Sequence, residues 1–150
     1  MLAIFLHLEF LLITRETDYA IRATLYLAMQ EDLACPVSTA ELSEEMSIPY
    51  RFLRKIVSKL VLADLIVSRR GKGGGLSLAR APKNISLMQI ISAVDPEAVL
   101  LNRCLADVNQ CERSPFCGIH VELVRMQKQL DVGLEAVTLA SMSTYEEKHK

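Results

Sequence analysis

The chain has 150 residues, of which 51% are apolar, 23% charged and 5% aromatic, with four Cys and no Trp. That length and apolar content exclude a disordered chain, require no disulfide staples, and fit one domain with a small appendage. Seventeen Lys and Arg against eighteen Asp and Glu give a formal charge of -1, which argues against duplex DNA only if the charges are evenly spread.

The first thirteen residues, MLAIFLHLEFLLI, are apolar except for His7 and Glu9. A bilayer span needs about 20 apolar residues, and the stretch lacks the basic start and small-residue cleavage site of a secretory signal. Residues 1–12 are therefore read as an apolar extension, and the protein as cytoplasmic with no membrane partner. In that compartment clustered thiols stay reduced and bind metal more often than they pair.

Thr14 precedes a helix in which Ile21, Leu25, Ala28 and Met29 recur at helical spacing. Residues 31–37, with a Cys-Pro step, break it. Ser38-Thr39-Ala40-Glu41 is a capping box that opens a short helix over Thr39–Met46. Three residues later Pro49 occupies a first helical position, where its missing donor costs nothing. The helix that follows places Phe52, Leu53, Ile56, Leu60 and Val61 on one side and Arg51, Arg54, Lys55 and Lys59 on the other.

Two short helices separated by a tight turn, the second basic on its outer face, predict a helix-turn-helix. Leu65–Ser68 and Leu76–Ala79 read as two strands joined by Arg69-Arg70-Gly71-Lys72-Gly73-Gly74-Gly75. Glycines supply the positive backbone angles and close approaches a tight hairpin needs, so the segment reads as a basic wing. A nucleotide phosphate loop would need Lys-Ser/Thr and a helix after the glycines, and a strand follows instead. From Arg51 to Lys83 there are nine basic residues and one acid, Asp64, a block of +8. The remainder of the chain then carries -9, so near-neutrality conceals a basic face.

A capped helix is expected over residues 84–94, opened by Asn84, Ile85 and Ser86. The longest helix is expected from Cys117 to about Met142. Its Ile119, Leu123, Met126, Leu130, Leu134, Val137 and Ala140 step by three or four, the seam of a helix that packs on a partner copy. Packing on the protein's own winged domain is the other reading of that seam. The polar end STYEEKHK reads as a fraying tail.

Between these helices lie Cys104, Cys111, Cys117 and His120. Three thiols and an imidazole suit either tetrahedral zinc or an iron–sulfur cluster. Steps of six and five intervening residues favour a loop wrapped around a cluster over a zinc knuckle; a thiol–disulfide switch ranks third. His120 by itself would be an ordinary helix residue, and its place three residues after Cys117 makes it a ligand candidate. Cys35 has no soft donor near it in sequence and reads as a loop thiol.

Together these features resemble the IscR/NsrR family of bacterial winged-helix transcription regulators, from about Leu11 to Met142. The residues that carry the resemblance are Ile13-Thr-Arg-Glu-Thr-Asp-Tyr-Ala-Ile-Arg22, Ile48-Pro49 with Phe52-Leu53, Arg70-Gly-Lys-Gly-Gly-Gly75 with Leu78-Ala79, and the three-cysteine loop. The resemblance implies a homodimer with one cluster per subunit, whose state changes DNA binding in response to iron–sulfur status, nitric oxide or redox state. It implies Cys104, Cys111 and Cys117 as cluster ligands. For the fourth it offers His120, which favours a 2Fe–2S centre, or Asp18 of the N-terminal helix, which suits 4Fe–4S. We place 2Fe–2S with His120 first. The family pattern starts near Leu11, so residues 1–10 depart from it, as a misassigned start or a short packed extension.

The expected fold is thus mainly α with a small β-hairpin wing. It divides into a winged helix-turn-helix at 13–95, a cysteine loop at 96–118, a dimerisation helix at 119–142 and a tail at 143–150. Tyr50, Arg51 and Arg54 are expected in the major groove of a palindromic DNA operator, and Lys55 and Lys59 on phosphates. Arg69, Arg70 and Lys72, with Gly73 and Gly74 at the wing tip, are expected at the minor groove. The alternative is a zinc-stabilised or thiol-switch winged-helix regulator without a cluster. An enzyme is not expected, because no general base or substrate constellation accompanies the thiols.

Overall fold

The computed structural model describes residues 13–148 except Ala34, Val108 and Gln110. The apolar extension at 1–12 and the last two residues of the expected tail lie outside the described residues. Helix α1 spans Arg15–Ala28, and its N-cap Thr14 accepts a hydrogen bond from the Thr17 amide. Ala20, Ala23 and Leu27 are buried in the main core. Small residues on this face let α1 lie close to the helices around it. Thr17 and Thr24 are also buried, and each hydroxyl donates to a backbone carbonyl, Thr14 and Ala20 respectively, which removes the penalty for burying them.

Helix α2 spans Thr39–Glu45 and is capped by Ser38, whose hydroxyl accepts from the Glu41 amide. The turn to the next helix passes through Ser47 at a φ of 52° and is fastened by Ser43 Oγ donating 2.7 Å to the Ile48 carbonyl. Helix α3 spans Tyr50–Leu62. Pro49 stands one position earlier than expected, as the N-cap, and its carbonyl accepts from the Phe52 and Leu53 amides.

Helix α3 buries Leu53, Ile56, Val57 and Leu60. Phe52 and Val61, expected on that inner side, are 61% and 39% exposed. At about 100° per residue they fall on the two opposite flanks of the buried stripe, where cover is only partial.

Strands β1 (Ile66–Arg69) and β2 (Gly75–Leu78) form an antiparallel hairpin in which Ile66 faces Leu78 and Arg69 faces Gly75. Each strand is displaced by one residue from the sequence reading. Val37 adds a bridge on the other side of β2, exchanging hydrogen bonds of 2.8 and 2.7 Å with Leu76. The tip requires glycine. Gly73 has a φ of +81°, and a Cβ on Gly74 would stand 2.2 Å from the Arg69 carbonyl oxygen.

Helix α4 spans Leu87–Val94 behind a capping box of Ser86 and Gln89. Helix α5 is a single turn, Arg103–Ala106, capped by Asn102. The long helix expected to run from Cys117 to Met142 is two helices, α6 (Gly118–Ala136) and α7 (Leu139–Glu147). Val137 and Thr138 between them are extended, and Thr138 forms a capping box with Ser141. The break is held from outside the helix: Leu87 N–H donates to the Val137 carbonyl, and Leu139 N–H donates to the Ile85 carbonyl. It delivers Leu139, fully buried, into the main core. The residues read as a fraying tail therefore begin inside α7.

The expected partner seam on α6 also divides. Leu130 and Leu134 pack on the chain's own Ile91 and Val99, whereas Ile119 and Met126 stay exposed. The architecture is the expected one, mainly helical with a two-stranded wing. No helix among the described residues is long and apolar enough to cross a membrane.

Candidate nucleic-acid interface and cysteine pocket

The face of α3 opposite its buried stripe carries Arg51, Arg54 and Lys55, all exposed, with Tyr50 exposed at its first turn. Arg69, Arg70, Lys72 and Gly73 are exposed on the wing, and Gly74 is half-buried where the hairpin closes. Arg80 Nε donates to the Asp64 carbonyl at the wing base. A helix with an exposed basic face, followed by an exposed basic hairpin, has the charge and elements to meet a duplex.

Lys59 departs from the sequence reading. Its ammonium donates 2.8 Å to Glu16 Oε1 and 2.7 Å to the Val94 carbonyl, so this half-exposed side chain ties α3 to α1 and α4. Sequence periodicity could not show this, because Glu16 is 43 residues away along the chain.

Cys104, Cys111, Cys117 and His120 all line one cavity of about 390 Å³, together with Asn102, Arg103, Ser114, Ile119 and Leu123. The three thiols are free and half-buried. His120 Nδ1 lies 3.4 Å from Cys104 Sγ. Local order places these donors: Asn102 Oδ1 accepts from the Cys104 amide, and the Ser114 amide donates to the Cys111 carbonyl. Cys117 then enters α6 as its N-cap, which sets His120 in the first turn.

Ser114 Oγ in the same wall is buried with no hydrogen-bond partner, a polar atom that costs free energy unless something in the cavity meets it. Sequence reasoning missed Ser114, since a serine between cysteines carries no spacing signal. Among the described residues, no three His, Cys, Asp or Glu are grouped closely enough to hold a single metal ion.

Asp18 does not line this cavity. It lies on α1, paired with Arg22, and the fold of one chain does not bring it to the cysteines. Cys35 is exposed on the loop before β2's bridging residue Val37 and takes no part in the pocket.

A protein-family model described as "Iron-dependent Transcriptional regulator", Rrf2, matches residues 13–145. An HTH-type transcriptional regulator IscR from Sodalis glossinidius is 33% identical over 135 residues, covering 90% of this chain and 80% of its own length. An HTH-type transcriptional repressor NsrR from Streptomyces coelicolor is 28% identical over 130 residues, covering 87% and 86%. The solved structure of T. potens IscR superposes with a TM-score of 0.71 at 25% identity, covering 91% of this chain and 89% of that one. These matches agree with the resemblance read from the motifs.

Proposed function

The chain belongs to the Rrf2 family and is a DNA-binding transcription regulator, and on that premise we propose that its operator affinity is set by an iron–sulfur cluster held in the cysteine pocket. The observation that carries the reading is the convergence of Cys104, Cys111, Cys117 and His120 on one cavity whose wall also holds the unpartnered Ser114 hydroxyl. Three thiols and an imidazole are the donor set of such a cluster. The same donor set also serves structural zinc, and the wide sequence steps of six and five intervening residues between the cysteines favour a loop wrapped around a cluster.

The cysteines and His120 would ligate the group, with 2Fe–2S placed ahead of 4Fe–4S, and the unpartnered Ser114 hydroxyl is a polar group in the wall beside it. When bound, the cluster supplies a centre that changes with iron–sulfur status, nitric oxide or redox state. The chain's own part is to hold the loop. Asn102 fixes the Cys104 amide, the turn at Ser114 aims Cys111 and Cys117 inward, and α6 carries His120. Asp18 remains the alternative fourth ligand only through a second copy of the chain. The protein would act in the cytoplasm, where its thiols stay reduced.

On the DNA side, Tyr50, Arg51 and Arg54 would read a major groove, Lys55 would hold a phosphate, and Arg69, Arg70 and Lys72 would enter a minor groove beside Gly73 and Gly74. The exposed Ile119 and Met126 of α6 support a homodimer, and two-fold symmetry matches a palindromic operator. Domain limits of 13–95 for DNA binding and 96–118 for the cysteine loop follow from this division of labour, with α6 as the dimerisation helix.

Anaerobic purification followed by absorption spectroscopy and iron, sulfide and zinc counts tests the reading. Coloured protein with iron and acid-labile sulfide is expected. Colourless protein with stoichiometric zinc, or with no metal and a reversible disulfide, would replace it with the zinc or thiol-switch regulator.

A further inference from the structure

His120, Gln127 and Leu134 stand seven residues apart on α6, about two turns each, and so share one face. His120 lines the cysteine cavity and Leu134 packs in the small core with Ile91 and Val99. Between them Gln127, 9% exposed, makes three hydrogen bonds. Its Nε2 donates 2.7 Å to the Val99 carbonyl and 2.7 Å to Asp131 Oδ1, and its Oε1 accepts 2.9 Å from the Leu101 amide. Leu101 is three residues before Cys104.

The other end of the same segment is also tied. The Val94 carbonyl accepts 2.7 Å from Lys59 of α3, the helix that carries Arg51 and Arg54, and Lys59 also pairs with Glu16. Between these ends the backbone is stiffened by Asp95 N–H to the Ile91 carbonyl, Ala98 N–H to Asp95 and Leu100 N–H to Glu97. Residues 94–101 thus form a short strap. One end is fixed to the DNA-facing helix by Lys59, and the other to the cavity-bearing helix by the hydrogen bonds of Gln127, beside the non-directional packing of Leu130 and Leu134 on Val99.

We propose that Gln127 is the coupling residue of this protein, transmitting the position of α6 at the cysteine pocket to the DNA-facing helix through the 94–101 strap. A buried amide suits the task better than an apolar side chain. Its bonds to Val99 and Leu101 are directional and break together if α6 shifts by about an ångström or more relative to the strap, so the link has two states and no graded series. The inference rests on the function proposed above and adds the residue through which regulation passes.

The test compares full-length wild type with Gln127→Met and Gln127→Glu, the latter keeping an acceptor for the Leu101 amide but setting a carboxylate oxygen against the Val99 carbonyl and Asp131 Oδ1. The probe is a duplex selected from a random-sequence pool by the loaded wild type, titrated at fixed salt with cluster-loaded and emptied protein. Wild type is expected to show an affinity ratio of roughly 5- to 150-fold between the two forms. Gln127→Met should retain wild-type iron and sulfide content while its ratio falls toward one, and Gln127→Glu should fall at least as far, since its carboxylate faces the Val99 carbonyl and Asp131.

A second readout needs no cluster and no DNA. In the emptied protein, the maleimide alkylation rate of Cys104 should rise in Gln127→Met, because the residues leading into α5 have lost their anchor. Cys35 alkylation serves as the internal standard and should not change. A Gln127→Met protein with the full wild-type ratio and an unchanged Cys104 rate would overturn the coupling alone. A wild type with no ratio would overturn the regulatory reading and this coupling with it. If Gln127→Met fails to fold, Gln127→Glu carries the same test, and a full ratio in it would overturn the proposal.

Discussion

His120 Nδ1 approaches Cys104 Sγ to 3.4 Å, joining the first turn of α6 to the one-turn helix α5 across sixteen residues of chain. The approach closes the cysteine loop on itself and leaves Cys111 and Cys117 on the same cavity wall. If these four are the ligands, Ser substitution of any of the three cysteines should abolish retention of iron and sulfide. His120→Cys should keep the cluster and lower its reduction potential by on the order of 100 mV, because imidazole ligation raises it relative to thiolate. Asp18→Ala should leave iron content and spectrum unchanged. Loss of iron from Asp18→Ala, with none from His120→Ala, would reverse the assignment of the fourth ligand.

Lys55 and Lys59 differ by one helical turn and should differ in kind. Lys59→Met is expected to lower stability by about 0.5–2 kcal/mol, since it removes one half-exposed ion pair and one charged hydrogen bond to a carbonyl. It should leave the salt dependence of DNA binding unchanged. Lys55→Met should do the opposite, reducing the slope of log affinity against log salt by about 0.9 for each phosphate that is no longer neutralised. Urea titrations and salt-series binding curves separate the two.

Arg51 and Arg54 project from the outer face of α3, and a base-reading role for either should show as weakened discrimination on substitution. Arg51→Ala is expected to relax preference at one position of each half-site by about 1–3 kcal/mol and to leave other positions unaffected. Binding to a set of single-substitution duplexes would reveal it. A uniform weakening across the set would move Arg51 to the phosphates.

At the wing, Gly74→Ala would place a Cβ 2.2 Å from the Arg69 carbonyl oxygen. Backbone, not a flexible side-chain end, stands in the way, so the hairpin tip must reopen at a cost of about 1–3 kcal/mol. Weaker operator binding with unchanged iron content is the expected outcome.

The α6–α7 junction supplies a stability test. Thr138→Val should cost about 1 kcal/mol through loss of the helix cap. Leu139→Ala should cost about 2–5 kcal/mol, the range for a cavity in a packed core. Urea midpoints with unchanged slopes would confirm both. A cost near zero for Leu139→Ala would mean that α7 does not seal the core.

Local chemistry made much of this protein legible in advance. Ser38 and Ser86 announced helix starts because a hydroxyl cap acts within one turn. The basic face of α3 was readable because helical periodicity separates it from Leu53, Ile56 and Leu60. Glycines between two short apolar runs announced the wing. The cysteine spacing identified the residues that share a cavity.

Other features depend on atoms far apart in the chain. The apolar steps through Leu134, Val137 and Ala140 satisfy one continuous helix, and only backbone pairing with Ile85 and Leu87 breaks it at Val137. Thr138 had the cap signal, but the unbroken periodicity masked it. Phe52 and Val61 had the right residue type for the interior and lie on flanks that neighbours cover only in part.

Lys59 illustrates the division most clearly. Its charge and its place on α3 follow from the sequence, and both suggested a phosphate. Glu16 and the Val94 carbonyl gave it an internal task, because a hydrogen bond is decided by which groups the fold brings within about 3 Å of each other. Sequence alone determined the helices α1 to α4, the wing, the basic face and the candidate donors that line the pocket. Tertiary structure decided which donors and cations face outward and which are already engaged, since those pairings exist only after α1, α3, α4 and α6 have packed.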